Sequence, residues 1–303
     1  YCTLCGLIEP TAIPTSVMAG THQKPFPDDR HPSCEGAVTR GLVLGTDFIS
    51  DVLLIAISVE PPLTLRPGAL STDVALRTLA EAITIAASSR LEIEVGELQA
   101  EYRPALTPGG QTGLEAEIYI YDTLAGGAGF ARRVSALADA VFEDAIHLLE
   151  HCPAECDRSC YRCLRSFRNR FEHELLDRHV GASLLRYLVR GDRPVRDGSR
   201  VRQAGDRLFA DLSRQGLDDV NFALRETIEI PGIGMVEAPI LARANGHQLV
   251  VGIHGPLTPD HPSDDALLTA KEFGTTVPVL LVDEIVVSNN LPAASKRVID
   301  AVS

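Results

Sequence analysis

Lysine is nearly missing from this chain: Lys24, Lys271 and Lys296 are the only three in 303 residues. Any phosphate contacts must therefore rest mainly on arginine, whose planar fork suits phosphate oxygens, and the range of possible catalytic motifs narrows. No run of eighteen apolar residues occurs, and the chain starts at Tyr1 with neither a charged n-region nor an apolar h-region. These absences predict a cytoplasmic chain with no membrane partner. The lack of an initiating Met, with Cys-x-x-Cys at once, predicts a segment of something longer. Cysteine is confined to two places, Cys2, Cys5 and Cys34 near the start and Cys152, Cys156, Cys160 and Cys163 in the middle. An odd count in an unexported chain disfavours a disulfide framework.

What is present fits about two average domains, with 45% hydrophobic residues to build a core. The net charge of −13 argues against coating nucleic acid by bulk electrostatics. Its distribution matters more. Arg158, Arg162, Arg165, Arg168 and Arg170 stand against Glu155 and Asp157, a local excess of positive charge on an acidic background.

The middle cysteines read Cys-x3-Cys-x3-Cys-x2-Cys and supply all four ligands of a closed tetrahedral zinc site. Such a site has no open position for water, so it holds a fold together rather than catalyses. An iron–sulfur cluster or redox thiols would use the same residues. The first group lacks one ligand. His31, three residues before Cys34, is the expected fourth partner of Cys2, Cys5 and Cys34 in a second zinc site, and His22 competes for the position.

Periodicity predicts strands near 42–45 and over 52–59, the latter buried. A helix follows, with Ser71 or Thr72 as its N-cap and apolar Val74, Leu76, Leu79, Ile83 and Ala87. "LEIEVGEL" and "LEAEIYIYDT" read as strands. "IYIYDTLAGGAGFARRV" then reads as strand, glycine turn and a helix running from about 130 to 150. Gly126, Gly127 and Gly129 serve either to pack helix on strand or to present backbone N–H groups to a phosphate, with Arg132 and Arg133 alongside. The stretch matches neither Gly-x4-Gly-Lys-[Ser/Thr] nor Gly-x-Gly-x-x-Gly. Phe167 and Phe171 recur at helical spacing with Leu175 and Leu176 and are expected in the core. Arg162, Arg165 and Arg168 are expected on one helical face. Together with Arg158, and with Arg132 and Arg133, they are the candidate DNA contacts.

The expected fold class is α/β (α+β): a zinc ribbon-like segment over 1–40, then a mixed sheet with packed helices and the four-cysteine knuckle over 41–190. A linker over 191–200 and a second small α/β unit over 201–303 follow. That last unit has a nuclease-like element order, but "QLVVGIHG" lacks the acid and lysine of such enzymes. His254, His261, Asp264 and Asp265 remain a weaker metal candidate there.

Four motifs in order, "TDFISDVLLI", "YDTLAGGAGF", the four cysteines ending in "CYRCL", and "NRFEHELLDR", resemble the MrfA-type zinc-binding domain. That family occurs at the C-terminal end of certain superfamily 2 DNA helicases and in DISARM phage-defence proteins. The resemblance covers about 41–190. It implies that Cys152, Cys156, Cys160 and Cys163 bind zinc, and that a helicase motor lies upstream in the same chain or in a partner subunit. The departure is the motor itself: no Walker A motif, DEAD or DEAH box or arginine-finger motif is present, so these residues are not expected to be an enzyme alone. The expected role is thus a zinc-binding, DNA-contacting accessory to a helicase in DNA repair or phage defence. A hydrolase working through residues 201–303 and a purely protein-docking zinc module are the alternatives.

Overall fold

The computed structural model describes residues 1–8, 21–27, 31–41, 45, 47–104, 113–194, 197–216, 219–258, 265–272 and 277–302. They form two compact units, Tyr1–Phe48 and Ile49–Ser303. Among the described residues no helix is long and apolar enough to cross a membrane.

The first unit has strands β1 (His22–Gln23) and β2 (Ser33–Cys34), paired antiparallel with His22 opposite Cys34. Cys2 bridges to Val38, and its backbone N–H and carbonyl bond to Leu7 and Gly6. The small core is Cys2 and Cys34, with Cys5, Leu7 and Val38 against them. So little apolar surface cannot offset the entropy of ordering the chain, and a metal must supply the rest.

The second unit opens with a three-stranded antiparallel sheet. Its order is β3 (Val52–Ser58), β5 (Glu115–Asp122), β4 (Leu98–Pro104). On β5, Ala116, Ile118, Ile120 and Asp122 point inward at period two. Helix α1 (Leu70–Leu91) lies against that face, and α3 (Ala138–Glu150) and α4 (Arg178–Arg190) pack on α1 in turn. Covered from both sides, α1 is buried around most of its circumference. Its N-cap is Ala69; Ser71 and Thr72 fall inside the first turn and are buried, so the expected side-chain cap does not form.

Other local expectations also change. "LEIEVGEL" is the end of α1 and a turn, because Glu92 takes the left-handed conformation that terminates the helix, and the strand begins only at Leu98. β3 is an edge strand with Val52 and Leu54 half exposed, not a buried one. The helix expected over 130–150 is two, α2 (Phe130–Ala136) and α3, parted at Leu137: α2 packs on β3 and β5, α3 on α1. The strand expected near 42–45 lies largely outside the described residues.

The chain continues through the knuckle, a short 3-10 helix (Arg170–Leu175) and α4. Then follow α5 (Gly198–Arg214), β6 (Val220–Ile230), β7 (Gly234–Ala244), β8 (His247–His254), α6 (Asp265–Glu272), β9 (Val279–Asp283), α7 (Glu284–Asn289) and α8 (Leu291–Val302). The sheet order is β6-β7-β8-β9, a meander closed by β9 running parallel to β8. Helices α5, α7 and α8 cover one face and α6 the other. The architecture is mixed α/β, as the sequence indicated.

Candidate metal centres and the surface they hold

Helix α3 delivers the chain into the four-cysteine loop. Cys152 and Cys160 thiols are 3.6 Å apart, Cys156 and Cys163 3.7 Å, and Cys160 and Cys163 3.8 Å. A zinc–sulfur bond of about 2.3 Å at tetrahedral angles places sulfurs about 3.8 Å apart. The thiols thus stand at the corners of a tetrahedron around a single ion; a polynuclear cluster, with each thiolate on a different iron, would spread them further. Backbone N–H groups turn toward the sulfurs: Cys160 N–H donates to Cys163 Sγ at 3.2 Å and Arg162 N–H to Cys160 Sγ at 3.3 Å. Such donors stabilise thiolate and orient it for a metal.

The thiols also need a cation electrically. A backbone hydrogen bond from Cys156 leads in lowering Cys152 to about 6, whereas burial, then the neighbouring sulfurs, pushes Cys156 up. Burial likewise raises Cys163. Four adjacent thiolates repel one another, and a divalent ion removes the conflict.

In the first unit Cys2, Cys5, Cys34 and His22 bring their ligand atoms together. Cys2 and Cys34 sulfurs are 3.7 Å apart, and Cys5 Sγ lies 3.2 Å from His22 Nε2. His22, not His31, completes this group: the β1–β2 register sets His22 directly opposite Cys34 and buries it, while His31 lies outside the strand pair and is exposed. Sequence distance favoured the wrong histidine because it carries no register. Gly36 is required here, since a Cβ would come within 2.7 Å of Cys2 Sγ and 2.5 Å of Leu4 Cβ. Both groups fit zinc, with Cys152, Cys156, Cys160 and Cys163 holding one ion and Cys2, Cys5, Cys34 and His22 the other. Four protein ligands each leave no open position, so the ions supply rigidity rather than Lewis-acid chemistry.

The loop beyond the knuckle is fixed by Asn169, whose amide donates to Leu164 O at 2.8 Å and accepts from Ser166 N–H at 2.8 Å. This turn and 3-10 helix replace the expected α-helix. Phe167 and Phe171 consequently face outward, 75% and 84% exposed, with Tyr161 70% exposed nearby in sequence. The Arg170 guanidinium lies over both phenylalanine rings, 4.4 Å and 4.3 Å from their centroids.

The candidate arginines divide. Arg162, Arg168, Arg132 and Arg133 are exposed, Arg168 lying across Gly96, where a Cβ would meet its guanidinium. Arg165 turns back to Ser159 Oγ at 2.9 Å. Arg158 is committed inward, to Asp177 at 3.2 Å, Asn289 at 2.5 Å and the Glu174 carbonyl at 3.1 Å. A three-residue repeat could not show this without a helix to carry it.

The glycine turn has its own anion. Asp122, fully buried at the end of β5, accepts from the N–H groups of Ala128 at 2.6 Å, Phe130 at 3.0 Å and Ala131 at 2.8 Å. Gly126, Gly127 and Gly129 all have positive φ, which lets the backbone curl around the carboxylate. The nest is filled from within, which favours packing over phosphate contact. In the last unit, His254 is buried and paired in register with Asp283; His261 and Asp264 lie outside the described residues, as does the side chain of Asp265.

These features define a class: a zinc-thiolate domain in which a strand, an aspartate-filled glycine turn and two helices lead into a closed four-cysteine site. Residues 79–164 match the family model of the MrfA Zn-binding domain. In an alignment of 297 positions that covers 92% of its length, the chain is 32% identical to Druantia protein DruE of Escherichia coli (strain UMEA 4076-1), and it spans 15% of that protein. Two solved structures of DUF1998 helicase MrfA, one bound to DNA and one to DNA and AMPPNP, are similar to 32% and 40% of this chain. They are 22% and 20% identical, cover 12% and 15% of those chains, and each has a TM-score of 0.26.

Proposed function

We propose that this chain is the zinc-binding, DNA-contacting part of a superfamily 2 helicase system in DNA repair or phage defence. It works in the cytoplasm beside a motor in the same polypeptide or a partner subunit. The supporting observation is the metal-pinned loop: a zinc site holds a turn that leaves Arg162, Arg168 and Arg170 exposed, along with Tyr161, Phe167 and Phe171. Arginine without lysine suits phosphate, exposed rings suit bases, and neither carries sequence specificity. Arg132 and Arg133 on α2 are further candidates; Arg158 and Arg165, bonded inward, are not part of this exposed set.

Fluorescence anisotropy of the zinc-loaded chain with labelled oligonucleotides of mixed sequence at several salt concentrations tests the reading. Binding should weaken with salt, and Arg162→Gln with Arg168→Gln should flatten the slope of log K against log salt by about 0.7–0.9 per lost contact. Binding absent at low salt would leave a protein-docking module, and metal-dependent cleavage by the chain would favour a hydrolase in residues 201–303.

A further inference from the structure

Asp177 is fully buried and caps α4 by accepting from the N–H groups of His179 and Val180 at 3.0 Å and 3.3 Å. It also meets two guanidinium groups from opposite directions. Arg158, held between the zinc ligands Cys156 and Cys160, reaches it at 3.2 Å; Arg200, from α5, grips both oxygens at 3.2 Å and 2.6 Å. The Arg200 Nε then donates to Glu284 of α7 at 2.6 Å. Asn289, at the other end of α7, accepts from Arg158 and donates to the Glu174 carbonyl at 2.8 Å.

These four charges sum to zero in a particular way. Arg158 and Asp177 belong to the zinc-bearing half and neutralise each other; Arg200 and Glu284 belong to the C-terminal α/β layer and do the same. Parting the halves breaks the Arg200–Asp177 fork, the Asn289 bonds, the hydrogen bond between Ser71 and Asp283 and that from Thr64 N–H to the Leu257 carbonyl, yet strands no unpaired charge on either side. A permanent internal boundary is ordinarily sealed by apolar surface. Among the described residues the C-terminal layer contributes Leu257 and Ile285 to the buried part of the main core cluster, and a cavity of about 340 Å³ remains along the seam, lined by Leu149, Arg178, Pro194, Asp197, Leu257 and Thr258. Polar boundaries of this kind permit relative motion.

We propose that the C-terminal α/β layer, residues 198–302, docks on the zinc-bearing half through a reversible ionic latch centred on Asp177, and that its release opens the cavity and frees part of the Arg158 guanidinium. The latch does not depend on the nucleic-acid reading: it concerns which surfaces are covered, whatever ligand they meet.

Hydrogen–deuterium exchange of the whole zinc-loaded chain at rising sodium chloride tests it. The amides of His254, Gly255, Leu257 and Thr258, of α7 and of the first turns of α4 and α5 should lose protection together, by about tenfold or more, while α1 and the β6–β7 pair stay protected and the zinc content is unchanged. Arg200→Met should produce the same pattern at low salt. The proposal is overturned if the seam amides exchange only at the rate of global unfolding at every salt concentration. It is equally overturned if Arg200→Met costs α1 its protection or the chain its zinc, since the contact would then be an integral part of one core.

Discussion

Replacing Asp122 by alanine tests the internal anion at the glycine turn. The carboxylate accepts three backbone N–H groups, but they do not count equally. Ala128 is exposed and Phe130 half-buried, so their N–H groups can recover water; Ala131 is buried and its N–H cannot. A buried donor left unsatisfied costs about 1–3 kcal/mol, and since the Ala131 N–H lies in the first turn of α2, this figure already includes the cap. Removing a buried charge returns part of its desolvation, so a net loss of about 1–2 kcal/mol is expected. Asp122→Asn keeps one acceptor but turns an NH2 group toward the remaining donors, and should fall between wild type and alanine. Urea denaturation of the zinc-loaded proteins, followed by circular dichroism at equal metal content, reads the difference. A change under about 0.5 kcal/mol for the alanine variant would refute the argument, showing that the turn holds its shape without the carboxylate.

Elemental analysis of the purified chain should find close to two zinc per molecule and no visible chromophore; His22→Ala should lose about one ion while His31→Ala keeps both, and the reverse pattern would restore the sequence-based choice. Glu81→Gln should stabilise the chain near neutral pH. Burial chiefly raises the Glu81 carboxyl, against partial opposition from an Asn169 hydrogen bond and the Arg77 charge. Its folded form therefore holds a proton where the unfolded chain, ionising at about pH 4.3, does not. Stability from this group is present below that value and is lost as pH rises through the folded pKa. The advantage of the Glu81→Gln variant should thus vanish in acid, and a constant gain across pH would contradict the assignment.

Elements with a strong local code were legible in the sequence. The period-two pattern of β5, the convergence of the four cysteines and the mixed α/β character of the C-terminal part were all legible in residue pattern and spacing. The failures share one physical origin: partners distant in the chain override local pattern. The Phe167 and Phe171 spacing resembles a buried helical face, but a metal and Asn169 hold that segment in turns, so the rings emerge. His22 owes its place to strand register, and α1 begins without its expected cap because its N-terminal residues are buried in packing. Asp177 precedes α4 as a serviceable N-cap signal, yet nothing local announces that Arg158 and Arg200 converge on it from 19 residues before and 23 after.

Arg170, laid over Phe167 and Phe171, bears on entropy. Two exposed phenylalanine rings beside a long cationic side chain would ordinarily sample many rotamers, and a ligand would have to freeze each of them on arrival. The guanidinium instead lies on both rings and donates to the Phe167 carbonyl at 3.2 Å. At about 0.5–1.5 kcal/mol per immobilised side chain, much of the ordering penalty has been met during folding. A flat guest that meets this stack therefore meets a surface whose shape is already set.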